Sequence, residues 1–201
     1  MRPGENREEE SQTQPVSTFH YAQHIEAIFA RSLGEVWRAF RDMGKWYTEY
    51  TFDDVSGPSY LREAGLMENQ VVRLTFTTGL PKDFPTLSNP GNAPASEHYI
   101  MKTIKLVPLK EIVAVVWGQV YDWKRYTVFY VFRMTGKGSA TAVFVDSYGE
   151  AEFVRPLSTA ELSEYSGNFT RVWHRSWSEA FANLRKLVEG TDEQSVQSRQ
   201  Q

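Results

Sequence analysis

The stretch NFTRVWHRSWSEAFANLRKLVE, residues 168–189, is the most informative part of the sequence. Its large apolar side chains recur three and four residues apart, which is the spacing of one face of an amphipathic helix. A helix with so bulky a face must lie against a broad apolar surface. The apolar face consists of Phe169, Val172, Trp173, Ser176, Trp177, Ala180, Phe181, Leu184, Leu187 and Val188. The opposite face carries Arg171, Arg175, Glu179, Arg185, Lys186 and Glu189.

Capping boxes predict two shorter helices before this one. The first box, residues 32–35, opens an amphipathic helix that runs to about Asp42. The second, residues 158–161, opens a short helix that we expect Gly167 and Asn168 to interrupt, since glycine weakens a helix interior. The long helix then ends at Gly190, because glycine is the usual residue just past a helix end.

The segment before the first helix, and those between the first and second helices, have the composition and length of β-strands. Residues 43–47 and the pair Asp53 and Asp54 look like turns. The predicted strands are residues 21–30, 59–64, 70–78, 99–107, 112–120, 126–135 and 140–148. Strand, short helix, antiparallel strands and a long last helix together define an α+β fold.

The domain boundaries follow from composition. Residues 1–18 are polar and charged and bury too little to offset the entropy of ordering, so we expect a disordered arm. Residues 191–201 form a similar tail. Between them, residues 19–190 make a single domain. Within it, residues 79–98 form a loop insertion rich in proline, glycine and asparagine, the composition of a lid, a binding loop or a tolerated surface insertion.

The composition of the 201 residues narrows the function. A net charge of −3 offers no electrostatic reason to expect binding to nucleic acid or to an anionic membrane. There is no cysteine, no signal-like N-terminal segment and no apolar run long enough to span a bilayer. We therefore expect a soluble cytoplasmic protein. The aromatic share of 14% supplies large apolar area, and Tyr and Trp add polar groups that can line a pocket.

Three stretches resemble the SRPBCC superfamily, also called START-like or pollen-allergen-like helix-grip proteins. They are SLGEVWRAF at residues 32–40, IKLVPLKEIV at 104–113, and TAVFV at 141–145 with the long helix. The nearest subgroup is the one named for homologues of the activator of the heat-shock protein 90 ATPase. The chain departs from that subgroup at the insertion and the arm, and has Ser147 beside Asp146 where the subgroup often has a histidine.

The resemblance implies a curved antiparallel sheet wrapped around the C-terminal helix, with a cavity between them. Positions on the first and last helices, around the expected cavity mouth and along the strands then become candidate ligand-binding residues. Tyr47 also lies where the mouth is expected. The candidates are Trp37, Phe40, Trp46, Tyr50, Trp117, Asp146, Tyr148, Trp173, Trp177 and Phe181. Further polar candidates for orienting a ligand are Tyr99, Lys102, Gln119, Tyr121, Arg133 and Ser147.

Other kinds of site find little support. The four histidines are scattered and show no dependable metal-ligand spacing, so we expect no metal. No nucleophile elbow, phosphate-binding loop or dinucleotide motif occurs, and we expect no cofactor. Residues 126–134 and 140–148 are apolar on both strand faces. The second face is therefore covered, either by the arm or by another subunit, and we favour a homodimer.

Three functions follow in order of preference. The first is binding or carriage of an apolar or aromatic small molecule in the cavity, without catalysis. The second is a cofactor-free enzyme of the polyketide cyclase or aromatase type, in which polar side chains in the cavity move protons. The third, implied only by the subgroup resemblance, is a domain that binds the ninety-kilodalton heat-shock chaperone. Whether any reaction is catalysed stays open at this point.

Overall fold

A computed structural model describes residues 17–55, 65–77, 98–118 and 123–190. The strands are β1 (Thr18–Phe29), β2 (Tyr50–Asp54), β3 (Val71–Phe76), β4 (His98–Val107), β5 (Glu111–Gly118), β6 (Trp123–Lys137) and β7 (Ala140–Phe153). The helices are α1 (Leu33–Arg41) and α2 (Thr159–Glu189), with a 3₁₀ turn at Met43–Lys45. Residues 1–16 of the expected arm, the expected tail 191–201 and most of the expected insertion lie outside the described residues, as does the predicted strand 59–64.

The seven strands form one antiparallel sheet in the order β1-β7-β6-β5-β4-β3-β2. The first and last of the described strands, β1 and β7, pair with each other, so Ile25 lies opposite Val145 and Phe29 opposite Thr141. The sheet is curved and holds α2 against one face. This arrangement confirms the predicted α+β class and the predicted sheet around a long C-terminal helix.

Helix α2 is continuous over 31 residues, so the predicted interruption at Gly167 and Asn168 is wrong. Packing on both sides of the glycine outweighs its low helix propensity, which costs about 1 kcal/mol. Tyr165 precedes the glycine and packs edge-on against Phe153 at 4.9 Å. Phe169 follows it and lies 4.6 Å from the ring of Tyr21.

The capping residues act as the sequence predicts. Ser32 and Glu35 form a complete capping box at α1, and Ser158 and Glu161 form one at α2. At the other end of α2, Gly190 adopts a φ of +80°, a value that side chains other than glycine rarely tolerate. The start of both helices and the end of α2 are therefore set by their own sequence rather than by packing alone.

Several strand boundaries differ from the prediction. Asp53 and Asp54, expected to form a turn, belong to β2, where Asp53 lies opposite Arg73. Thr18, assigned to the arm, already belongs to β1. Strand β7 continues five residues beyond Tyr148, because Ala151 and Phe153 keep the buried side of the alternation filled.

The two faces of the sheet have different surroundings. The inner face packs against α1 and α2 around a core in which Phe40, Phe132 and Trp177 are almost fully buried. The outer face leaves Phe129 47% exposed and Tyr148 53% exposed. Neither described helix combines the length and the apolar character that crossing a membrane would require.

Candidate functional site

A cavity of about 80 Å³ lies between α2 and the inner face of the sheet. Its walls come from the 3₁₀ turn, strands β2 to β6 and the middle of α2. Twelve of the nineteen described residues that line it are aromatic, and only Glu49 among them is charged. The lining includes Met43, Tyr47, Tyr50, Phe52, Leu74, Phe76, Tyr99, Met101, Val116, Trp123, Tyr126, Tyr130, Phe132, Phe169, Val172, Trp173, Ser176 and Trp177.

The aromatic walls are held by ring-to-ring packing. Tyr47 lies 4.9 Å from Trp177, which ties the segment after α1 to the last helix. On the paired strands β2 and β3, the ring centroids of Tyr50 and Phe76 lie 4.7 Å apart. These tilted contacts fall in the range in which aromatic pairs stabilise beyond the area they bury. The rings are therefore fixed by their neighbours and form a preformed wall.

The tyrosine hydroxyls in and beside the cavity stay protonated at physiological pH. Burial raises the pKa of Tyr130 to about 12, even though the indoles of Trp173 and Trp177 lower it in part. Burial also raises the pKa of Tyr126 well above its usual value. The hydroxyl of Tyr126 shares a hydrogen bond of 2.5 Å with that of Tyr21. All three groups keep a proton to donate.

Two indole N–H groups in the cavity wall lack a well-formed hydrogen bond. Trp173 is 6% exposed and Trp177 only 1%, and neither indole nitrogen reaches an acceptor with good geometry among the described residues. Both act on the Tyr130 hydroxyl closely enough to influence its pKa. Buried polar groups without such bonds are uncommon, and each one calls for a physical explanation.

The charged end of the cavity is a short chain of hydrogen bonds. The Ser176 hydroxyl donates to the Glu49 carboxylate and lies 3.1 Å from the Tyr47 hydroxyl. Burial raises the pKa of Glu49, while the hydrogen bond from Ser176 and the charge of Arg175 oppose that rise. A carboxyl group with a raised pKa beside two hydroxyls is an arrangement that can accept or donate a proton.

Comparison with known proteins shows what the fold is. No protein-family model matches the chain, and no curated protein matches it. Among solved structures, Ara h 8.0201 is 10% identical over 86% of this chain and 100% of its own, with a TM-score of 0.54. The Zhui aromatase/cyclase from Streptomyces sp. R1128 is 11% identical over 85% and 94%, with a TM-score of 0.54.

A third similar structure is norcoclaurine synthase from Thalictrum flavum, 13% identical over 87% of this chain and 90% of its own, with a TM-score of 0.52. These neighbours are helix-grip proteins of the SRPBCC type. This chain has the helix-grip fold. At these identities the likeness establishes the fold alone, and membership of the heat-shock-activator subgroup stays a prediction.

Within the helix-grip framework, the ten candidate residues separate into three groups. Tyr50, Trp173 and Trp177 line the cavity. Trp37, Phe40, Trp46 and Phe181 are buried in the surrounding core, outside the cavity lining, and support the wall from behind. Trp117, Asp146 and Tyr148 lie on the outer face, so their assignment to the cavity is wrong. Ligand binding at the first group stays a prediction.

The error at Trp117, Asp146 and Tyr148 is one of strand alternation. Side chains one residue apart point to opposite faces of a sheet, and these strands are apolar on both faces, so the sequence leaves the choice open. Val116 faces the cavity and Trp117 therefore faces outward. Likewise Ser147 is buried on the inner side, between two outward-facing residues.

Asp146 is held on the outer face by two hydrogen-bonding partners, His24 and Arg133. His24 Nδ1 lies 2.7 Å from one carboxylate oxygen, and Arg133 binds the other. Burial alone would raise the pKa of Asp146, but these two hydrogen bonds outweigh it and keep the pKa below its usual value. The aspartate is therefore an ion-paired group of the outer face and takes no part in the cavity.

The remaining polar candidates are also divided between the faces. Tyr99 lines the cavity, whereas Lys102 pairs with outward-facing positions of β3 and β5. Gln119 and Tyr121 lie outside the described residues. In the part of the chain that the structure describes, no three potential metal-binding side chains come together.

Sequence reasoning missed Glu49, Tyr126 and Tyr130. The two tyrosines lie four residues apart on β6, on the same side as Phe132, and that shared face was the available signal. Glu49 lies two residues after the segment 43–47 that was predicted to be a turn, and no periodic pattern marked it. Its importance comes from Ser176, which lies 127 residues away in the sequence.

Proposed function

We propose that this protein binds a small aromatic or apolar molecule in the cavity between the sheet and α2. The observation that carries the proposal is the cavity itself, a preformed space with twelve aromatic residues in its described lining. Small-molecule sites are typically concave and apolar with a few fixed polar groups. The tyrosine hydroxyls, the indole N–H groups and Glu49 supply such groups here.

The size of the cavity restricts the ligand. One water molecule occupies roughly 10–15 Å³ of cavity volume on this measure. A cavity of about 80 Å³ therefore accommodates a compound with a single aromatic ring. A folded polyketone chain or a long acyl chain exceeds this volume. The cavity therefore favours single-ring compounds, and this places simple binding ahead of the cyclase hypothesis.

The test is calorimetric titration of the full chain with ethylbenzene, acetophenone and dodecanoate. Both single-ring compounds are expected to bind with one-to-one stoichiometry, and dodecanoate is not. Val172 lines the cavity, so Val172→Phe fills it and should weaken acetophenone binding about tenfold or more. The matched control Val115→Phe adds the same ring on the outer face and should leave binding unchanged.

Two outcomes would overturn the proposal. One is the absence of binding by either single-ring compound to a protein whose thermal unfolding is cooperative. The other is equal loss of binding in Val172→Phe and Val115→Phe. Because overpacking costs about 1–3 kcal/mol, the melting temperature of each variant is measured alongside.

Catalysis without a cofactor is the second candidate, and the hydrogen-bond chain of Glu49, Ser176 and Tyr47 favours it. Two fold neighbours are a synthase and an aromatase/cyclase by name, so catalysis is compatible with this fold. A carboxylate at the cavity wall can remove a proton next to a bound carbonyl group.

Exchange of the acetophenone methyl protons in deuterated water, followed by NMR, tests this activity. The protein should accelerate exchange above the buffer rate, Glu49→Gln should abolish the acceleration, and Glu164→Gln on the exposed side of α2 should not. Exchange at the buffer rate would leave the protein as a binder alone.

Interaction with the ninety-kilodalton chaperone stays a prediction from the subgroup resemblance. Its test is a pull-down with the full chain in the presence and absence of ATP, and failure in both conditions contradicts it. A cytoplasmic location also stays a prediction, which cell fractionation can check.

A further inference from the structure

The described lining of the cavity contains two hydrogen-bond donors, the indole N–H groups of Trp173 and Trp177, that lack a well-placed acceptor. That lining contains five tyrosines and three tryptophans, and an indole nitrogen can only donate. A phenolic hydroxyl can both donate and accept, and burial raises the pKa of Tyr47, Tyr50, Tyr126 and Tyr130, so these four keep the proton that they donate. The single carboxylate, Glu49, already accepts from Ser176. A ligand that brings an acceptor into this space satisfies groups that the protein leaves unsatisfied.

Three hydrogen-bond donors lie close together in one part of the cavity wall, namely the Tyr130 hydroxyl and the indole N–H groups of Trp173 and Trp177. The indole N–H groups of Trp173 and Trp177 both influence that hydroxyl and lack a well-formed partner of their own. The ring of Tyr130 lies 5.9 Å from that of Trp177, so all three polar groups belong to one part of the wall. An oxygen atom placed here could accept from more than one of them.

The ligand's acceptor oxygen is uncharged. No lysine, arginine or histidine is among the described residues that line the cavity. A carboxylate or phenolate would lose its hydration without gaining a cationic partner, and burying an unpaired charge is costly. The negative charge of Glu49 opposes an anion further. Neutral carbonyl groups meet the requirement, because they accept hydrogen bonds and carry no charge.

We propose that the cavity selects a neutral aromatic ketone or aldehyde of about one ring, whose carbonyl oxygen accepts hydrogen bonds from Tyr130, Trp173 and Trp177. This inference rests on the proposed binding function and gives its ligand class. The ring lies against the aromatic walls, and the carbonyl oxygen meets the unsatisfied donors. Specificity comes from those donors, since a shape-matched hydrocarbon leaves them unpaired.

Acetophenone and α-methylstyrene provide a matched pair of probes. They have nearly the same shape and differ in that one has a C=O group where the other has C=CH₂. Benzoate adds a charge to a ring of similar size. In titrations of the full chain, acetophenone should bind about tenfold more tightly than α-methylstyrene, the factor expected of one buried hydrogen bond. Benzoate should bind more weakly than either.

Substituting each of the three donors in turn tests whether it contributes to the preference for acetophenone over α-methylstyrene. Tyr130→Phe, Trp173→Phe and Trp177→Phe each remove a donor and keep an aromatic ring. Each should lower the preference for acetophenone over α-methylstyrene, with less effect on α-methylstyrene itself. Trp117→Phe, the same change on the outer face, should leave the preference at its original value.

Infrared spectroscopy of carbonyl-labelled acetophenone bound to the unmodified protein gives an independent readout. Hydrogen bonds at the oxygen should shift the C=O stretch to lower frequency than that of acetophenone in cyclohexane. This measurement does not depend on whether any variant folds.

The outcomes separate this inference from the proposed function. Equal affinity for acetophenone and α-methylstyrene, or an unshifted C=O band, overturns the carbonyl assignment and leaves aromatic binding intact. Tighter binding of benzoate than of acetophenone overturns it as well. If none of the three probes binds, the proposed function fails, and the ligand class fails with it.

Discussion

At the scale of single residues, burial decides the chemistry of this cavity. A tyrosine at the surface, with a pKa near 10, is already a neutral donor at physiological pH. Burial raises the pKa of Tyr130 to about 12, so its hydroxyl keeps that proton well into the alkaline range. Glu49 is affected in the same direction. The sequence showed the abundance of aromatic residues, whereas their pKa values depend on neighbours that are distant in the chain.

The pH dependence of stability should carry the signature of Glu49. Burial raises the pKa of Glu49 in the folded state above the usual 4.5. The protonated carboxyl group therefore contributes its full stabilisation of the folded state at pH values below 4.5. That stability is lost as the pH rises through the raised pKa. Glu49→Gln cannot ionise, and its melting temperature relative to the unmodified protein should therefore increase from acidic to neutral pH.

Thermal unfolding of both proteins across this range is the measurement, with Glu164→Gln on the exposed side of α2 as the control. Ser176, Arg175 and Glu179 all act on the Glu49 carboxyl, and they remain in place in both proteins. A difference between Glu49→Gln and the unmodified protein that is independent of pH would contradict the assignment.

At the scale of the elements, the sequence predicted helices and strands better than the faces they present. The apolar stripe of α2 was recognisable because one side of a helix alone is apolar. Strands β6 and β7 are apolar on both sides, so Phe129 outside and Val128 inside could not be distinguished. Strand β2 was missed because Asp53 and Asp54 resemble turn residues, and its pairing with β3 is non-local.

The continuity of α2 leads to a prediction about two glycines. A Cβ added at Gly167 would meet no atom within 4 Å, so Gly167→Ala should stabilise the protein by about 0.5–1 kcal/mol through helix propensity. A Cβ at Gly149 would lie 2.5 Å from the Tyr21 ring. Gly149→Ala should therefore destabilise the protein by about 1–3 kcal/mol.

Chemical denaturation measures both changes. If Gly167→Ala increases the free energy of unfolding and Gly149→Ala decreases it, the results support a continuous α2 and close packing of the Tyr21 ring against Gly149. Destabilisation by Gly167→Ala would show instead that α2 is interrupted there.

In the molecule as a whole, the outer face of the sheet exposes large apolar side chains to solvent. Trp117, Phe129 and Tyr148 are each more than one third exposed, and they lie on adjacent strands. Monomeric proteins rarely expose large contiguous apolar patches. A homodimer that pairs two outer faces stays the prediction.

Sedimentation analysis over a range of concentrations tests this prediction. The unmodified protein should dimerise, and Phe129→Lys should shift it to monomer. Leu187→Lys, at an equally exposed apolar residue of α2, should leave the dimer intact. A monomer at every concentration, or equal effects of both substitutions, would contradict an interface on the outer face.

Binding of a neutral aromatic carbonyl compound in the space between α2 and the sheet can be observed by intermolecular NOE measurements on the acetophenone complex. We expect contacts from the ligand to the Trp177 and Tyr50 rings, with the Trp177 indole N–H resonance shifted on binding. Contacts to Trp117 on the outer face, or none to the cavity residues, would contradict binding in this space.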